Sequence, residues 1–156
     1  MNTTATHTLL SKRGMRDLKR NIADLEHDRL RIIHDLRELD RTTGHDERLA
    51  RIEKLSNLEA VEYELQEKKM ILSDARPLPT KRARLNVAIG SVVDLIDQHG
   101  RLFHYTLVDS FEANPSEGRI SIKSPLGQNL IGKTVRDIIE WSAGMQSQRL
   151  RLVRIM

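Results

Sequence analysis

In the first half of the chain, apolar residues recur at helical intervals. Leu18, Ile22, Leu25, Ile32, Leu36 and Leu39 are spaced by 4, 3, 7, 4 and 3 positions. This is the a/d pattern of a helix that buries one narrow stripe, with Arg29 in the vacant slot. Residues 9–40 contain no proline and one glycine, Gly14, so the pattern predicts a helix ~45 Å long. A polar break follows at Arg41-Thr42-Thr43-Gly44-His45-Asp46. The pattern resumes at Leu49, where Leu49, Ile52, Leu55 and Leu58 step by threes. It then runs through Val61, Leu65 and Leu72, with Lys68 filling one slot. It stops at Arg76-Pro77-Leu78-Pro79, because proline lacks the N–H a helix needs and restricts the residue before it.

Two such helices joined by a short polar turn predict an antiparallel hairpin over residues 9–76. Neither helix has an apolar face wide enough for a globular core. The hairpin is therefore expected to project as a rod, with the turn at 42–46 at its far end. The short turn favours pairing within one chain, and so a monomer.

After Pro79 the pattern changes. Residues 77–85 read as a basic linker containing Lys81, Arg82 and Arg84. Residues 87–96 are rich in β-branched side chains, Asp97-Gln98-His99-Gly100 reads as a turn, and residues 102–108 and 119–122 read as further strands. Ser124-Pro125 fits an N-cap followed by proline at the first helical position, and Gly132 fits the residue that ends the short helix. Residues 138–141 and 149–155 read as closing strands around Gly144. The expectation is an α+β chain: residues 1–8 disordered, a coiled-coil hairpin at 9–76, and an antiparallel α+β domain at 86–156.

Composition narrows the function. The 156 residues include no cysteine, which excludes thiolate chemistry and Cys-ligated metal sites. No apolar run approaches the ~20 residues that span a bilayer. Residues 1–7 are polar and lack the apolar core of a secretory signal. A cytoplasmic protein with no membrane role is the expectation. The net charge of +4 is unevenly placed: residues 1–76 hold 15 basic and 15 acidic residues, and residues 77–156 hold 11 and 7. Dense charge of both signs suits a solvated helical rod.

No catalytic constellation emerges. There is no G-x-S-x-G elbow, Walker loop or G-x-G-x-x-G. His27 and His34 stand ~10 Å apart along one helix face, too far to share an ion. Asp40, Asp46 and Glu47 cluster at the predicted turn, where a rod has no core to bury them. They are candidate oxygen ligands for a hard cation such as Mg²⁺. The competing structural account is a capping box formed by Thr43 and Asp46. Lys12, Arg13, Arg16, Lys19 and Arg20 form a basic run in which Lys12, Arg16, Lys19 and Arg20 share one helix face. That stripe is able to follow a phosphate backbone by charge alone, or to serve only as a solvated surface.

One segment is more specific. Ser124-Pro125-Leu126-Gly127-Gln128-Asn129-Leu130-Ile131-Gly132-Lys133 resembles the Ser-Pro-x-x-x-x-Leu-x-Gly-Lys stretch of the bacterial Gre transcription elongation factors. With the hairpin, its Gly44 turn and the linker, the resemblance covers about residues 9–156. It implies an FKBP-like C-terminal domain that docks on RNA polymerase at the rim of the secondary channel through Ser124, Pro125 and Leu126. It implies a hairpin that enters the channel and brings its tip near the active centre, with the stripe of Lys12, Arg16, Lys19 and Arg20 facing nascent RNA. In cleaving members, tip carboxylates help hold a second Mg²⁺ and stimulate the polymerase's own RNA cleavage. By position those carboxylates are here Asp46 and Glu47, shared in trans with the polymerase. The protein would have no cofactor and no catalytic residue of its own.

The chain departs from the family pattern at the tip. Cleaving members resemble Asp-Leu-x-Glu-Asn-x-Glu-Tyr after the tip glycine. Here Gly44 is followed by His45-Asp46-Glu47-Arg48-Leu49-Ala50-Arg51-Ile52. The aspartate is one residue late, Leu49 replaces the glutamate three residues on, and Arg48 and Arg51 stand near the expected acids. Docking is therefore better supported than cleavage, and a non-cleaving member would act as a channel plug or as a competitor of other channel binders. Two other classes remain as alternatives. A peptidyl-prolyl isomerase would need an aromatic-walled pocket, and the second half offers only Phe103, Tyr105, Phe111 and Trp141. A coiled-coil nucleic-acid-binding module would need more charge excess and more stacking aromatics than the hairpin carries.

Overall fold

A computed structural model describes residues 7–41, 44–79 and 85–156. The capping role predicted for Thr43 and the basic linker residues 81–84 lie outside the described residues, as do residues 1–6 of the predicted disordered start. The described residues fall into two compact units: those between 15 and 75 form one, and residues 7–14 with 76–79 and 85–156 the other.

The first unit is the helical hairpin. Helix α1 spans Lys12–Leu39 and α2 spans His45–Asp74. Leu18, Ile22 and Leu36 are buried on α1 and Leu65 on α2, as the heptad spacing requires. Ion pairs fix the antiparallel register: Glu26–Lys69 at 2.7 Å, Arg29–Glu62 at 3.0 Å, Asp35–Lys54 at 2.6 Å, and Asp40–Arg51. As the α1 partner advances along the chain, the α2 partner retreats. Arg29 thus fills its seam slot with a cross-helix pair.

Helix α2 differs from expectation in two ways. It begins at His45 rather than at Leu49, with Gly44 as its N-cap. And of the four residues stepping by threes, only Leu58 joins the seam; Leu49, Ile52 and Leu55 face outward. The cause is geometric. A three-residue step falls ~60° short of a full helical turn, so such a row winds off any fixed face. The seam positions one heptad before Leu58 and Val61 are Arg51 and Lys54, and both are half-buried.

The second unit is built on a five-stranded sheet with strand order β5-β4-β3-β7-β6: β3 Val92–Ile96, β4 Leu102–Val108, β5 Arg119–Ser121, β6 Ile138–Ala143 and β7 Gln146–Ile155. Most neighbours are antiparallel, but β4 and β5 are parallel, which corrects the wholly antiparallel expectation. Two 3-10 turns, Ser110–Glu112 and Pro115–Glu117, carry the chain back alongside β4 before β5 begins. One sheet face is the core, lined by Val93, Leu95, Leu107, Ile139, Leu150 and Leu152. Helix α3, Pro125–Leu130, covers it with Leu126 and Leu130. Residues 87–91, read as part of the first strand, form an irregular approach with Gly90 at φ +84°.

The turn between β3 and β4 is held by Asp97, which accepts from the His99 and Arg101 N–H groups at 2.8 and 2.9 Å and from Arg101 Nε at 2.7 Å. Burial pushes the Asp97 carboxyl up, but hydrogen bonds from the Arg101 backbone and side chain and from the His99 backbone, with the charge of Arg101, outweigh it and hold the group at about 2.

Leu9 and Leu10 do not begin the helix. They form a short strand, β1, parallel to β2 at Arg76–Pro77. Ser11 caps α1 by accepting from the Gly14 N–H at 3.0 Å. The buried carboxylate of Glu112 accepts from the Ser11 N–H at 2.8 Å and from its hydroxyl. Helix α1 has no acid in its own first turn, so Glu112 supplies the negative charge that its N-terminus favours. A Cβ at Gly14 would overlap that carboxylate.

Candidate functional site

At the hairpin tip each acidic side chain has a different environment. Asp40, just past the end of α1, pairs with Arg51. Asp46 is exposed at the second position of α2. Glu47, at the third, is half-buried with its carboxylate against Gly44, in the space a Cβ would take there. Asp46 and Glu47, both in the first turn of α2, complement the helix dipole. Gly44 is the N-cap of α2, without a side-chain cap hydrogen bond, and Glu47 stands three residues on.

A hard divalent cation needs several oxygens converging on one point. Adjacent helical residues diverge by ~100°, and the Glu47 carboxylate is turned back along the chain. Among the described residues no three His, Asp or Glu side chains come together to hold a metal ion. Among the described residues the donor set at the tip does not fit the paired-carboxylate arrangement that the resemblance implies: Asp40 and Asp46 are both exposed, but Asp40 is engaged by Arg51.

Further along the hairpin, Lys54 donates to Asp35 and holds its carboxyl below the usual range. At the start of α1, Lys12, Arg16, Lys19 and Arg20 are all exposed. Arg13 lies 3.8 Å from Glu117.

In the second unit, the motif at Ser124 has a clear local cause. The Ser124 hydroxyl accepts from the Gly127 N–H at 3.1 Å and donates to the Ser121 carbonyl at 2.6 Å, which ties the helix start to the end of β5. Pro125 occupies the first turn, where its missing N–H costs nothing. Gly127 packs so closely on Ser121 and Ile122 that a Cβ would collide with the Ser121 carbonyl. Gly132, at φ +81°, ends the helix as predicted and donates to the Val87 carbonyl.

The three docking residues inferred from the motif separate here. Pro125 is exposed, Ser124 is half-buried as the cap, and Leu126 is buried in the core. Leu126 is therefore an anchor for the loop and has no surface to offer a partner. Beside α3 lies an open, largely apolar concavity of about 410 Å³, lined by Ala88, Ile89, Ile122, Gln128 and Ile131. The sequence did not single out Ile89, Ile122, Gln128 or Ile131 as lining residues; Gln128 and Ile131 are exposed, Ile89 and Ile122 half-buried. Gln128 and Ile131 stood in the motif, but nothing in one sequence distinguishes its outward positions from its inward ones.

No helix among the described residues is long and apolar enough to cross a membrane. A protein-family model described as "Transcription elongation factor, GreA/GreB, C-term" matches residues 83–156. The chain is 34% identical over 137 residues to "Transcription elongation factor GreA" of Chloroherpeton thalassium, covering 85% of this chain and 86% of that protein. It is 42% identical over 110 residues to the protein of the same name from Nautilia profundicola, covering 69% of this chain and 66% of that one. Among solved structures, "Structure of the transcription factor Gfh1" is similar with a TM-score of 0.46 and 24% identity, covering 97% of this chain and 99% of that one.

Proposed function

The chain belongs to the GreA/GreB family of transcription elongation factors, and on that premise we propose that it binds RNA polymerase and modulates elongation from the secondary channel without supplying a cleavage site. The C-terminal domain holds the polymerase with the surface around α3. Exposed Gln128 and Ile131 line the apolar concavity, exposed Pro125 stands in the same helix, and Ser124, Leu126 and Gly127 anchor that helix from beneath. A concave apolar surface with few polar groups suits a side chain inserted by a partner.

The hairpin enters the channel tip first. Its basic stripe at Lys12, Arg16, Lys19 and Arg20 offers phosphate contacts to nascent RNA by charge alone. Two of the three tip acids serve the hairpin itself: Asp40 neutralises Arg51 and Glu47 lies on the start of α2. This use of the tip carboxylates is the observation that carries the reading. A hairpin so built occupies the channel, excludes other occupants and slows nucleotide addition.

A second reading, a cleavage factor that helps hold Mg²⁺ in trans, rests on Asp46, which is exposed at the tip. When bound, that ion would activate water for phosphodiester hydrolysis.

A photo-crosslinker placed at Arg41, exposed in the turn just past α1, tests the placement. Crosslinks to polymerase segments around the active centre or to the RNA 3′ end are expected. Crosslinks confined to the outer polymerase surface would contradict it.

A further inference from the structure

The tip half of the hairpin reverses the usual distribution of polar and apolar groups. Its seam takes in Arg51 and Lys54, half-buried and paired to Asp40 and Asp35. Its outer side carries Leu49, Ile52 and Leu55, exposed by 60%, 64% and 45%. Isolated exposed apolar residues are ordinary. Three successive ones, each neighbouring the next at i, i+3 and beside a seam occupied by charge, form a continuous apolar strip that winds across the outer side of α2, and contiguous exposed apolar surface marks sites of interaction. The ion pairs also fix the rotation of α2. Turning the apolar row inward would break both pairs and leave their charges without partners.

We propose that Leu49, Ile52 and Leu55 form a contact surface for RNA polymerase, seated against an apolar part of its protein surface once the C-terminal domain has docked. This rests on the reading in the preceding section and adds a second foothold to it. The size of the patch selects the occupant. Three side chains of roughly 100 Å² each fall well short of the ~1,000 Å² that a stable, independent interface needs, even when two copies meet face to face. So small a surface is useful to a partner already held by another contact, because tethering raises its effective concentration and extends the lifetime of the complex.

The test uses the full-length chain, core RNA polymerase, and a triple variant Leu49→Gln, Ile52→Gln and Leu55→Gln, which retains helix-forming residues. Dissociation from the polymerase is timed by displacement of the labelled protein, and melting temperature and sedimentation are measured in parallel. The variant is expected to dissociate about tenfold faster, since interface changes act mainly on off-rates, with its melting temperature unchanged. Equal dissociation rates for both proteins would overturn the proposal and leave polymerase binding intact. A marked fall in melting temperature would place the row inside the hairpin and overturn it as well. So would a wild-type dimer that the variant abolishes, because the occupant would then be a second copy. Failure of the wild-type chain to bind polymerase would remove the functional reading on which the proposal stands.

Discussion

Gly127 shows how one residue couples the motif to its surface. It has no room for a side chain, since the Ser121 carbonyl occupies that position. Gly127→Ala is expected to cost about 1–3 kcal/mol through overpacking and to lower the melting temperature measured by circular dichroism. A Gly127→Ala protein as stable as wild type would refute the close packing. Asp97 gives a pH-dependent counterpart. Its folded value of about 2 lies below the ~3.9 of an unfolded aspartate, so folding favours the charged form. The stabilisation is present above about pH 4 and is lost as pH falls through about 2. Asp97→Asn is expected to melt below wild type at pH 6, with the gap closing by pH 2. A gap independent of pH would show that the carboxylate charge is not what holds the turn. At this scale the sequence was partly legible. Ser124, Pro125 and Gly132 announce their roles because caps and turn glycines depend on local backbone geometry. Leu126 does not, because whether a leucine faces the core or a partner depends on strands distant in the chain.

Among the elements, the hairpin was the most readable because heptad spacing is a property of one helix at a time. The register near the tip was not readable, because it is decided by cross-helix pairs such as Asp35 with Lys54. Spacing alone suggested Leu49, Ile52 and Leu55 as seam residues. Leu65 and Ile52 separate the two arrangements by stability. Leu65, 7% exposed, should cost about 2–3 kcal/mol on truncation to alanine. Ile52, 64% exposed, should cost less than about 0.5 kcal/mol. Chemical denaturation of the two variants measures both, and equal losses would mean that α2 is rotated from the position described. In the sheet, residues 102–108 were legible as a strand from their β-branched and aromatic content. The parallel pairing of β4 with β5 was hidden, because it follows from the path of the two 3-10 turns rather than from any residue pattern.

For the whole molecule, family membership rests on a run of motif residues and on identity along most of the chain. The distinction between members rests on a few tip side chains. Asp46, Glu47 and Asp40 were legible as a cluster of acids, since charge is visible in a sequence. Their commitments to Gly44 and Arg51 were not, since those depend on where α2 starts and how it faces α1. The account therefore meets its sharpest test in a backtracked polymerase–RNA complex supplied with Mg²⁺ and this protein, with RNA length and the rate of nucleotide addition followed together. It predicts RNA no shorter than the polymerase alone produces, together with slowed addition. Rapid shortening of the RNA that disappears in Asp46→Ala would contradict it and establish the tip as a working cleavage site.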